Sequence, residues 1–163
     1  MEIRHPTADD VPALAAVHVQ SWRDAYDGLL PDDLIASVTV ERRTVMWERI
    51  TESHATNAWL AAVDGQVVGL ASIGPAREPE GWGQLQNIYV LGSAWGKGVG
   101  TALWDAAQQG LTDRGYAGRQ LYVLDTNARA RGFYERQGWV HDGTVLMDDS
   151  FGEPIREVRY LPA

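Results

Sequence analysis

Apolar positions along this chain change period several times, and the changes mark out its elements. Val11, Leu14, Ala15, His18, Trp22 and Ala25 recur at intervals of three and four residues, the spacing of one buried helix face. Thr7-x-x-Asp10 precedes them as a capping box, and Glu2 to Pro6 reads as a short first strand. Gly28 and Pro31 break the helix, and a second is predicted over about Val40 to Ser53. Residues 57–64, NAWLAAVD, and 66–73, QVVGLASI, are strand-like runs flanking an Asp64-Gly65 pair, a hairpin signal. The Pro-, Glu- and Gly-rich segment from Ala76 to Gly83 predicts an exposed loop.

The second half alternates strand and helix. A strand is predicted over Gln84 to Leu91, a helix over about Val99 to Arg114 closed by Gly115, and a strand over about Gln120 to Leu124. Asn127 can cap a further helix that ends near Gln137 and Gly138. The tail, Val140 to Leu161, reads as two antiparallel strands joined at Asp148 to Pro154. The order β, α, α, β, β, β, α, β, α, β, β predicts an α/β (α+β) fold, a mixed sheet with helices on both faces.

Composition narrows the class. With 163 residues the chain is read as a single domain, 1–163, holding one substantial core. No apolar run approaches the roughly 20 residues of a membrane span, and the N-terminus lacks the basic and apolar regions of a signal peptide. The expectations are no membrane, a cytoplasmic location, and a monomer or homodimer. The absence of cysteine excludes disulfides and an acyl-cysteine intermediate. His5, His18, His54 and His141 show no paired ligand spacing, so no metal is expected. A net charge of −8 argues against a nucleic-acid surface and favours a cationic partner.

The candidate chemistry lies in Leu85 to Leu103, LQNIYVLGSAWGKGVGTAL, where a strand enters a glycine-rich turn opening onto a helix. Gly96, Gly98 and Gly100 remove side chains where backbone can approach a ligand, and the helix start adds unpaired N–H groups and a positive dipole end, a combination suited to phosphates. A Walker loop needs Ser or Thr after its lysine, but Lys97 is followed by Gly98; a dinucleotide fingerprint needs a third glycine where Thr101 stands.

WGKGVG at 95–100 resembles the (Gln/Arg)-x-x-Gly-x-Gly/Ala acetyl-CoA signature of GNAT-type N-acetyltransferases, with Trp95 at the Gln/Arg position. LYVLDTNARARGFYERQGWV at 121–140 resembles that family's second hallmark through Asn127, Ala130, Phe133, Tyr134, Glu135, Gly138 and Trp139. The resemblance implies a centrally splayed sheet of six to seven strands whose gap admits the pantetheine arm of acetyl-CoA. It implies a cofactor site formed by Ile88, Tyr89, Val90, Trp95, Gly96, Lys97, Gly98, Val99, Gly100, Thr101, Asn127 and Tyr134. Within it, backbone groups of Ile88 and Val90 pair with the arm as an added strand, and the amides of Gly96 to Thr101 carry the pyrophosphate. Trp95 packs either on the cofactor or in the core. Asn127 serves as helix cap, as cofactor contact, or as both. Gly92 stands where proline is common, which predicts a more mobile strand exit.

The implied reaction is direct acetyl transfer to a primary amine of a small molecule or protein through a ternary complex. A backbone N–H at or beside Val90 polarises the carbonyl. Tyr134 hydrogen-bonds the departing thiolate; its unperturbed phenol pKa, about 10, keeps it protonated at neutral pH. Gln84 occupies the position where many members carry a glutamate base, and a carboxamide can only orient water. His18, His141, Asp125 and Glu80 are further base candidates, although His18 on an apolar helix face reads first as a buried structural histidine. Trp22, Tyr26 and Gln86 are expected to bind the acceptor, with Leu29 and Trp82 nearby. Arg129, Arg131 and Arg136 read as a solvated helix face that can reach the CoA 3′-phosphate. The Gln84 departure leaves one rival in view, a non-catalytic acyl-CoA sensor of the same fold.

Overall fold

A computed structural model describes residues 1–53 and 57–163. Seven strands form one sheet in the order β1-β2-β3-β4-β5-β7-β6. They are β1 (Glu2–Arg4), β2 (Asn57–Val63), β3 (Gln66–Pro75), β4 (Trp82–Val90), β5 (Gly118–Leu124), β6 (Trp139–Asp148) and β7 (Ile155–Pro162). Five α-helices accompany them: α1 (Val11–Tyr26), α2 (Asp32–Ser37), α3 (Val40–Glu52), α4 (Val99–Asp113) and α5 (Ala128–Arg136). Each predicted element is present within a few residues. The short α2, missed in the sequence, fills the stretch between Pro31 and Val38, where two breakers had suggested irregular chain.

Both faces of the sheet are covered, which is why β2 reads as an unbroken apolar run. Ala58, Leu60, Ala62 and Leu70 pack against Val11, Leu14, Ala15 and Trp47 of α1 and α3. On the opposite face Trp59, Ala61, Ala71 and Ile73 pack against Leu103, Ala107 and Leu111 of α4. His18 joins the first layer: it is 1% exposed, and its Nδ1 accepts a hydrogen bond from Trp47 Nε1 at 3.2 Å. Burial pushes its pKa down to about 3, so it is a neutral structural histidine.

The centre of the sheet positions the site. β4 and β5, its parallel pair, are in register only from Trp82↔Gly118 to Leu85↔Leu121. Beyond that point β4 stays with β3 as far as Gly69↔Val90, while β5 follows β7 as far as Leu124↔Glu157. The strands part, and a gap opens in mid-sheet. A β-bulge marks the point: Ser72 faces Asn87 and Ile73 faces Leu85, leaving Gln86 as the extra residue. The bulge resets the alternation of side chains, so that Leu85, Ile88 and Val90 all pack toward the α4 layer.

Candidate active site

The backbone of β4 supplies one wall of the gap. Leu91 N–H bonds to Val68 C=O at 2.9 Å, making this a hydrogen-bonded pair. Alternation then places Tyr89 opposite Leu70 in the next such pair, and turns the N–H and C=O groups of Ile88 and Val90 away from β3 into the gap. An unpaired strand edge buried inside a sheet is a costly arrangement unless a ligand completes it.

At the end of that edge lies the glycine loop. Gly96 (φ 72°) and Gly98 (φ 81°) adopt left-handed backbone that side chains disfavour, and Gly98 is the N-cap of α4. A Cβ at either would meet nothing within 4 Å, so the space beside the loop is open. The first-turn amides of α4, which no helical carbonyl can satisfy, start at this loop.

Trp95 resolves its two readings by position. It is 37% exposed rather than in the core. Its Nε1 donates to Val90 C=O at 2.8 Å, and the Arg129 guanidinium lies 3.4 Å above its ring. The indole thus covers one of the carbonyls aimed into the gap, and the stack joins the loop to the start of α5 across the cleft. Gly92 departs from its expectation. Its N–H donates to Asp24 Oδ2 at 2.7 Å, a bond that proline cannot make, so this glycine ties the strand exit to α1.

A cavity of about 460 Å³ runs through the gap. Of the predicted site residues, Ile88, Tyr89, Val90, Trp95, Gly96, Gly98, Gly100, Thr101, Asn127, Tyr134, Tyr26 and Gln86 line it. Asn127 caps α5 by accepting from Ala130 N–H at 3.1 Å and lines the cavity as well, so its two readings are compatible. Tyr134 is buried, and burial raises its pKa above the ordinary phenol value, which keeps it a hydrogen-bond donor.

The side chains of four predicted residues lie outside the lining, which for Lys97 and Val99 leaves the expected backbone role untouched. Gln84 is absent from the lining, and its Oε1 accepts from Gln120 Nε2 at 3.0 Å. Its carboxamide is spent inside the closed part of the β4–β5 pair, below the bulge. Trp22 is buried behind the cavity wall, packed on Tyr26 at 4.4 Å and Phe151 at 5.2 Å. Lys97 is exposed and donates from Nζ to Ser93 C=O. Val99 turns its side chain into the core.

The other base candidates fare unevenly. Asp125 is held by Arg131 at 2.8 Å and Arg156 at 2.9 Å, which lower its pKa. His141 is exposed and stacks on Tyr160, outside the lining. Glu80 lies in the exposed 76–81 loop. Two residues of the supposed solvated helix face, Arg129 and Arg136, line the cavity instead, whereas Arg131 is ion-paired. Ser21 and Glu157 also line it; sequence reading missed both, because Ser21 lies in a helix with no motif and Glu157 in a strand that carried no signal of its own. No group of three or more possible metal ligands occurs among the described residues, and His54 lies outside them. Among the described residues no helix is long and apolar enough to cross a membrane.

Known proteins are similar to this chain in sequence and in fold. The chain is 32% identical over 129 residues to the uncharacterized N-acetyltransferase YuaI of Bacillus subtilis, covering 77% of this chain and 72% of that protein. The ribosomal-protein-alanine N-acetyltransferase of Brucella melitensis superposes with a TM-score of 0.75 at 26% identity, covering 98% of both chains. The PaiA N-acetyltransferase of Thermoplasma acidophilum, solved with coenzyme A, superposes with a TM-score of 0.77 at 21% identity, covering 96% of both chains. A family model described as the acetyltransferase (GNAT) family matches residues 19–139. With the splayed strands, the glycine loop and the matched segment in agreement, the chain belongs to the acetyltransferase (GNAT) family and is an acetyl-CoA-dependent N-acetyltransferase.

Proposed function

We propose that the gap holds the pantetheine arm of acetyl-CoA against the Ile88 and Val90 edge, with the diphosphate on the amides of Gly96 to Thr101, and that the acetyl group passes directly to a primary amine of a small molecule or protein. The supporting observation is the unpaired β4 edge that runs from the bulge at Gln86 to the loop. A thioester carbonyl lying along this edge meets N–H groups of Ile88 and Val90, which stabilise charge on its oxygen. Tyr134 lines the same cavity and stays protonated, so it donates a hydrogen bond to the sulfur as the C–S bond breaks. A thiol near 8.5 is more acidic than this phenol, so the tyrosine stabilises the thiolate without giving up its proton. The lack of cysteine fits transfer without an acyl-cysteine intermediate. Acetyl-CoA titrated into the protein by calorimetry, followed by thiol release in the presence of a varied amine panel, tests this reading. Heat on titration and amine-dependent thiol release are expected, and absence of heat together with no thermal shift would overturn it.

A further inference from the structure

The cavity is lined from both faces of the sheet, and its two sides differ. Ile88, Val90, Ala130, Phe133 and Tyr134 belong to the α4 and α5 layer, beside the glycine loop. On the other face, Tyr26, Tyr89 and Leu124 belong to a separate cluster with Val19, Trp22 and Ile155 of α1 and β7. A cofactor seated on the glycine loop occupies the first side, which leaves the second for an acceptor.

Glu157 stands on that second side. It faces Leu124 across the β5–β7 ladder and shares strand parity with Ile155, which packs in the α1 cluster, whereas Val158 and Tyr160 pack in the α4 layer. Glu157 lines the cavity and is partly buried. The arginines on either side are engaged elsewhere, Arg156 with Asp125 and Arg159 with Asp142. Among the described residues Glu157 makes no ion pair, and its near acidic neighbour is Asp148 on β6. Ser21 lines the same side, though its Oγ is itself buried and has no hydrogen-bond partner among the described residues. A carboxylate on a cavity without a paired cation is a group that a cationic amine would satisfy.

We infer that Glu157 is the general base for acetyl transfer, taking a proton from an ammonium acceptor that enters between α1 and the β6–β7 hairpin. The inference rests on the cofactor placement proposed above. Glu157 accepts one proton from the ammonium, and the freed nitrogen lone pair forms the C–N bond. The C–S electron pair leaves with sulfur, which Tyr134 hydrogen-bonds. The second nitrogen proton passes to the thiolate, so the products are the amide, the CoA thiol and one proton that Glu157 returns to solvent.

The surroundings suit the role. Burial first, then the charge and hydrogen bond of Asp148, raise the Glu157 pKa to about 7, which places its proton exchange at neutral pH. The other titratable or charged groups on the cavity around it are Tyr26 of α1, Tyr89 of β4, Tyr122 of β5, and Tyr134, Arg129 and Arg136 of α5. Tyr26, Tyr89 and Tyr134 are raised by burial and neutral across the working range.

The test measures kcat/KM against pH for wild type, Glu157→Gln, Glu157→Asp and Asp148→Asn, using acetyl-CoA with the most reactive amine of a fixed panel. Glutamate-labelled protein is titrated by carbon NMR in parallel. Glu157→Gln should lower kcat/KM by about 10²- to 10⁴-fold at pH 7 and abolish the acid limb near that pH. Glu157→Asp should restore part of the rate with a limb. Asp148→Asn removes a group that raises the Glu157 pKa, so its limb should move to lower pH. The resonance missing from Glu157→Gln should titrate near the same pH as the wild-type limb. A limb unchanged in Glu157→Gln, or a Glu157 resonance titrating in the ordinary carboxylate range, overturns the assignment. Thermal shift by acetyl-CoA is read for every variant. Its absence in wild type sinks the cofactor placement, whereas a retained shift with a Glu157-independent limb sinks only the base.

Discussion

The two walls of the gap are made of different material. The β4 and α4 wall works through backbone: a strand edge left unpaired by the bulge, and two glycines in left-handed conformation opening onto a helix start. The wall of α1, β5 and β7 works through side chains, with Tyr26, Ser21, Tyr122 and Glu157 facing the same cavity. On the placement proposed above, backbone recognises what is common to every turnover, an amide-bearing arm and a diphosphate, and tolerates sequence change except where a Cβ or a charge intrudes. On the same proposal, side chains recognise the acceptor.

The sharpest way to break that contrast is to put a charge on the backbone wall. Gly98→Asp, at φ 81°, should weaken acetyl-CoA binding by at least about 100-fold through repulsion of the phosphates and local strain. Gly98→Asn, uncharged and tolerant of this backbone region, should recover most of that loss in calorimetry. If both bind as wild type does, the loop is not the phosphate seat. Next comes Tyr134→Phe, which removes the hydrogen bond proposed to the leaving sulfur. It should lower kcat by roughly 10- to 100-fold while the acetyl-CoA dissociation constant changes less than about threefold, a split that steady-state kinetics with calorimetry can read.

A third change asks whether the walls are held together mechanically. Gly92→Pro deletes the N–H that Asp24 accepts, and should cost about 1–3 kcal/mol of stability in denaturant unfolding. An unchanged midpoint would mean that α1 and the strand exit are not coupled there. The smallest effect is expected at Gln84→Glu. The side chain already accepts from Gln120 and lies outside the cavity, so kcat should stay within about twofold of wild type at pH 7. A large gain would return base catalysis to β4 and remove the case for Glu157.

Much of the backbone wall was legible in the chain, because its signals are local. Gly96, Gly98 and Gly100 at alternate positions before a helix, and Asn127 before the next, state their conformations within a few residues. Their neighbours were misplaced wherever tertiary context decides. Gln84 and Gln86 are both expected at the site, and the bulge at Gln86 separates their fates, one in a closed strand pair and one on the cavity. Trp22 lies on the correct helix, yet Phe151 of the β6–β7 connection covers it. Gly92 suggested mobility until Asp24, 68 residues away in sequence, appeared as the acceptor of its N–H.

The chain alone determined the element order, the helix caps, the glycine loop and the match to an acetyl-CoA family, since periodicity, glycine placement and capping act over one or two turns of backbone. Only the tertiary structure decided where the sheet parts, that Trp95 caps Val90 rather than filling the core, and that Glu157 faces the cavity without an ion pair among the described residues. Those outcomes depend on register and burial between strands distant in sequence. A carboxylate's chemistry is set by what surrounds it in space, and strand neighbours such as Glu157 and Leu124 carry no mark of one another along the chain.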